Sequence, residues 1–217
     1  MAEALIERAK YKRLQIGGDH GDPYEESLLS GFVTLELKII VKEILEHLRS
    51  ALDYSAREVV ENISCTPSSH VYFPIVSKIF KQEDFKSRIG KLLPGILKNR
   101  PDLLLVFESF QPFVDKENNW LADFATICNE NKHEQLSIIK RDSADYKTFK
   151  KNGVNYSSIT KPDGSSPFRK MPLLLIDNDS SKALFILIEE INEELLGFLD
   201  CCIDGVSNII QKLKSVL

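Results

Sequence analysis

The sequence predicts a mainly α-helical bundle with a small antiparallel β-sheet inserted before the C-terminal helix, a pattern that counts as α+β by some criteria. Three observations carry this. Residues 24–63 contain no proline, and their apolar residues recur on one side of a helix. Residues 137–187 lose that repeat and show short apolar runs between turn formers. Residues 191–217 regain it, with apolar residues three or four apart from Ile191 to Leu217.

The elements follow in chain order. Residues 2–16 predict a short helix with Leu5, Ala9 and Ile16 on its apolar side. GGDHGDP at 17–23 breaks it, and Pro23 stands where the next helix begins. Residues 24–63 predict one long helix, or two broken near Gly31, with Val41, Ile44, Leu45, Leu48, Leu52, Ala56, Val59, Val60 and Ile63 facing the core. Pro67 and Pro74 flank a β-prone HVYF, which predicts an extended crossing segment. A helix is expected from Lys78, kinked or restarted at Pro94, and another from Pro101 to about Phe110. After a loop at 110–119, residues 120–136 predict a helix with Leu121, Phe124, Ala125 and Cys128 inside and Asn118 or Asn119 as its cap. Short strands are expected at 138–139, 154–159, 171–176 and 183–188, the last two as a hairpin, with turns at 161–167 and 177–181. No linker separates these parts. The whole of 1–217 therefore reads as one domain: a helical core at 24–136, a β insertion at 137–188 and a closing helix at 189–217.

The bulk properties narrow the function. The 217 residues carry a formal charge of −4, which argues against a protein-wide basic surface for duplex DNA. The first residues lack the apolar core of a signal peptide, and the longest apolar runs fall far short of the ~20 residues that span a bilayer, so a cytoplasmic protein is expected. Cysteines 65, 128, 201 and 202 form no C-x-x-C, and no pair of histidines has metal-ligand spacing. No metal or other cofactor is expected. GGDHGD lacks the lysine of a phosphate loop, and Ser68 and Ser69 lack a nucleophile elbow. Trp120 and the aromatics of FESFQPF read as core anchors.

One polar cluster stands out. Arg49, Asp53 and Arg57 are spaced four apart on the long helix, so Asp53 can pair with either arginine. Arg49 and Asp53 fall on the shoulder of the apolar stripe, where a partly buried arginine needs a partner. On the helix from Trp120, Asn129, Lys132 and His133 lie near the apolar side. If the two helices pack side by side, one groove holds Arg49, Asp53, Asn129, Lys132 and His133. Such a groove is a network that fixes helix register, a surface patch with no special role, or a site for an anion or phosphodiester. At such an anion site His133 is the acid or base, and Arg49 and Lys132 stabilise charge on phosphoryl oxygens.

The order HLRSALDYSAREVV, YFPI, FQPF and WLADFATICNENKHEQLS resembles a widespread group of bacterial proteins with an LRsALD helix, an FPI segment, a QP-aromatic turn and an N-x-x-KH helix. These are similar to the HEPN helical superfamily, whose members occur in toxin–antitoxin and phage-defence systems, some as metal-independent ribonucleases. The likeness covers about residues 45–137. It matches Arg49 and Asp53 to the first element and Asn129, Lys132 and His133 to the last. Catalytic members carry an arginine shortly before a histidine on one helix. Here Ile127 and Asn129 stand six and four residues before His133, and Glu130 and Glu134 add negative charge. The resemblance therefore implies a non-catalytic interaction or accessory protein of a bacterial defence or stress system, and as the alternative a metal-independent ribonuclease using His133 with Arg49. It also implies pairing of two copies through a long helix, or a protein partner; RNA binding follows only from the alternative.

Overall fold

The computed structural model describes residues 1–17, 21–63, 71–133, 139–151, 154–161, 175–177 and 182–217. The fold is mainly helical, with a small antiparallel sheet inserted before the last helix. Its elements are α1 (Ala2–Arg13), α2 (Pro23–Ser30), α3 (Leu35–Ile63), α4 (Gln82–Leu92), α5 (Ile96–Asn99), α6 (Pro101–Ser109), α7 (Asn119–His133), β1 (Ile139–Lys151), β2 (Val154–Thr160), β3 (Leu175–Asp177), β4 (Lys182–Ile188), β5 (Glu193–Glu194) and α8 (Leu195–Lys214). Packing divides the chain into two compact units. One holds Met1–Tyr11, Glu43–His133 and Cys201–Leu217; the other holds Lys12–Lys42 and Glu134–Asp200.

In the first unit the apolar stripe of α3 is buried at Ile44, Leu45, Leu48, Leu52, Ala56, Val59 and Val60. Proline and glycine set the helix boundaries, as their backbone chemistry requires. Pro101 is the first residue of α6, and α4 stops before Pro94. Gly95, at φ +87, opens α5 in a conformation that glycine adopts without strain. Trp120 is buried at the start of α7 and packs onto α8 at Gly205, where a Cβ would come within 2.3 Å of the indole ring. A glycine inside a helix costs about 1 kcal/mol against alanine; here it admits the largest side chain in the chain. Phe107 and Phe110 are likewise buried as expected, while Phe113 is half-buried against the Phe85 ring.

The long 24–63 segment is two helices, α2 in the second unit and α3, which begins there and continues into the first. α2 is capped by Asp22, whose carboxylate accepts from the Tyr24 and Glu25 N–H groups, and it ends at Gly31 with φ +83. Buried Ser27 donates to the Pro23 carbonyl and accepts from Thr34 N–H, which holds the turn between α2 and α3 closed. The sheet order is β2-β1-β4-β3, with β5 paired to β4 and every pairing antiparallel. The expected 183–188 strand is present and pairs with β3 at 175–177, while 171–174 of the other expected strand lie outside the described residues. The short strand expected at 138–139 is instead the start of the thirteen-residue β1, and a two-residue strand precedes α8. β1 has few apolar residues. It is held by pairing on both edges and by ion pairs to neighbouring segments, Asp145 to the directly opposite Lys182, Asp142 to Lys161 and Lys140 to Glu189. The turn residues 162–167 and 178–181 lie outside the described residues.

Among the described residues no helix is long and apolar enough to cross a membrane. Nor do three or more His, Cys, Asp or Glu groups converge there as metal ligands. Cys128, Cys201 and Cys202 form no disulfide; Cys65 lies outside the described residues.

Candidate functional site

The first unit brings Arg49 and Asp53 together. Four residues apart on α3, they form an ion pair with Arg49 Nε 3.2 Å from Asp53 Oδ2. Both side chains are about a quarter exposed. Asp53 thus takes Arg49 of its two neighbouring arginines. Its other oxygen, Oδ1, accepts from the backbone N–H of Phe73 at 2.9 Å. Both carboxylate oxygens are engaged, one by a guanidinium and one by the extended segment that crosses α3.

That segment has a second holder. Gln111 is completely buried in the QP turn after α6. Its Oε1 accepts from Val76 N–H at 3.3 Å, and its Nε2 donates to the carbonyls of Pro74 (2.9 Å) and Phe107 (3.0 Å). A buried extended segment that pairs with no other strand needs such partners for its backbone groups. Lys78 extends the attachment to Asp123 of α7, at 2.6 Å. Three of the motif elements, LRSALD, YFPI and FQPF, therefore form one clamp around residues 73–76.

The same bonds orient α7. Asn118, just before it, donates to the Ser109 and Gln111 carbonyls, close to the clamp. Ten residues later Cys128 Sγ lies 3.9 Å from the Leu45 carbonyl, two turns of α3 before Asp53. Asn129 is exposed on α7. The side chains of Lys132 and His133 lie outside the described ones, as do His20, Ser68, Ser69 and His70.

Beside the clamp lies an open groove of about 210 Å³, lined by Ser50, Asp53, Tyr54, Arg57, Val71 and Tyr72. Tyr54 and Tyr72 are 45% and 49% exposed, and Arg57 is exposed too. Arg57 was visible in the sequence as the other possible partner of Asp53. The two tyrosines and Gln111 were not singled out. A glutamine between apolar residues is a usable signal for a buried backbone holder, since such a side chain must find hydrogen bonds.

Comparisons with protein-family models, with curated proteins and with solved structures find no match to this chain.

Proposed function

We propose that this chain is a non-catalytic interaction or accessory protein on a HEPN-like helical scaffold, of the kind that the motif resemblance associates with bacterial defence and stress systems. The observation that carries the reading is the double engagement of Asp53. Its carboxylate joins Arg49 to the Phe73 backbone, which gives both residues a structural task. That task accounts for Asp53 without a substrate, while Arg49 commits only its Nε–H to the pair.

Partner contact also has surface to act on. Leu29, Phe32, Leu35 and Ile39 are large apolar residues exposed within eleven positions of the second unit, and Leu35 and Ile39 are four apart on α3. We assign this surface to the pairing of two copies through the long helix.

The test of the catalytic alternative is RNA cleavage in excess chelator by wild type and His133→Ala. The proposal expects no cleavage above buffer by either protein; cleavage by wild type that His133→Ala abolishes would establish the ribonuclease. For pairing, light scattering should report a dimer for wild type and a monomer for Ile39→Glu. A wild-type monomer at 100 µM, about the concentration of a purified sample, would remove pairing from the proposal.

A further inference from the structure

We infer that the groove beside the clamp receives an acidic, ring-bearing segment of a partner protein, with Arg57 taking a carboxylate and Tyr54 and Tyr72 flanking an aromatic side chain. The argument begins with charge. Asp53 is neutralised by Arg49, whereas Arg57, one turn further along α3, has no ion pair among the described residues. Among the described residues the groove therefore presents one available cation, on a chain of net charge −4. Its complement is an anion.

The walls restrict the anion further. Neither Tyr54 nor Tyr72 packs on another aromatic ring among the described residues, and each leaves nearly half its surface open. Tyrosine and arginine are the side chains that most often anchor protein interfaces, because each offers a flat face and a polar tip. Arg57 adds a planar fork suited to a carboxylate. Size decides between ligand classes. The groove holds about 210 Å³, below the 300–1,000 Å³ or so typical of small-molecule and cofactor sites. It accommodates one or two side chains of a longer segment rather than a whole nucleotide.

The inference rests on the interaction reading and names its partner chemistry, yet the two fail separately. RNA cleavage would overturn that reading without touching the groove. The groove is tested by NMR titration of the full chain, following the Tyr54 and Tyr72 ring signals and the Arg57 Nε–H signal. The probes are three: a blocked tetrapeptide with Glu-Phe at its centre, its Gln-Phe twin, and a nucleoside monophosphate. The Glu-Phe peptide should shift all three signals and bind about tenfold tighter than the twin, as expected for one charge-assisted contact. Arg57→Gln, at an exposed position, should keep the fold and erase that preference. Equal binding of the two peptides, a preference that survives Arg57→Gln, or tighter binding of the nucleotide would each overturn the inference, the last in favour of nucleic acid.

Discussion

Gln111 in the first unit and Glu194 in the second differ by one amide, and each is buried where it gathers backbone groups. Gln111 answers two carbonyls and one N–H, so an amide with both donor and acceptor fits it. Glu194 answers donors only. Its Oε1 accepts from Tyr24 Oη at 3.0 Å and from Leu196 N–H at 2.8 Å, and its Oε2 accepts from Gly197 N–H at 2.7 Å. It stands directly before α8, whose first N–H groups need acceptors and whose dipole favours negative charge. Burial nevertheless raises the Glu194 pKa above the ordinary carboxylate value, against the three hydrogen bonds and the nearby Arg13 that lower it. The contrast is instructive: a neutral holder adds no proton linkage of its own, while a charged one in the same burial ties folding to protonation.

The largest expected effect comes from breaking the neutral holder. Gln111→Ala leaves Val76 N–H and two carbonyls without partners in a closed interior. It should destabilise by about 3 kcal/mol, because buried unsatisfied groups carry their full desolvation penalty. Urea denaturation with a probe in the first unit checks this, and a loss under 1 kcal/mol would mean that residues 73–76 are held by packing instead. A smaller loss, roughly 1–2 kcal/mol, is expected from Tyr24→Phe. The Tyr24 hydroxyl donates to Glu194 and accepts from Ile186 N–H, so its removal orphans one donor and weakens the support of the carboxylate. Tyr24 is itself buried, and burial holds its pKa well above the usual phenol value, so it stays a donor across the accessible pH range. A Tyr24→Phe variant as stable as wild type would show that water replaces the hydroxyl.

The two holders also differ in how they could be read from sequence. Helical repeats were legible: α3, α6, α7 and α8 follow from apolar spacing and from Pro101, because a helix writes its buried face into the chain at a fixed period. The Arg49–Asp53 pair was legible for the same reason. What Asp53 reaches beyond its own helix was not, since its partner is the Phe73 backbone N–H, and backbone donors have no residue signature. β1 was hidden by its own composition. In IKRDSADYKTFKK an inward–outward alternation is replaced by charges that pair across the sheet, as Asp145 does with Lys182. Glu194 carried a weaker mark, an acid immediately before an apolar helical run, which reads as surface charge until the burial of its neighbours is known.

The finest test of the contrast is the pH dependence of Glu194→Gln. Because burial raises the Glu194 pKa in the folded state, the native protein holds this proton more tightly than the unfolded chain does. The stability it contributes is therefore present below the unfolded-state value near 4.5 and is lost as pH rises through the folded-state value. Exposed acids such as Glu3, Asp102 and Asp145, each lowered by a hydrogen-bonded lysine or arginine, act in the opposite sense. They are common to both proteins and cancel in the difference. Glutamine keeps the shape and one acceptor but does not titrate. Urea denaturation of wild type and Glu194→Gln between pH 4 and pH 8 should thus show wild type losing ground steadily to the variant as pH rises. A difference that is flat, or that grows in favour of wild type, would mean that the two backbone N–H groups and the start of α8 outweigh burial. Glu194 would then be an ordinary charged cap rather than a proton-linked one.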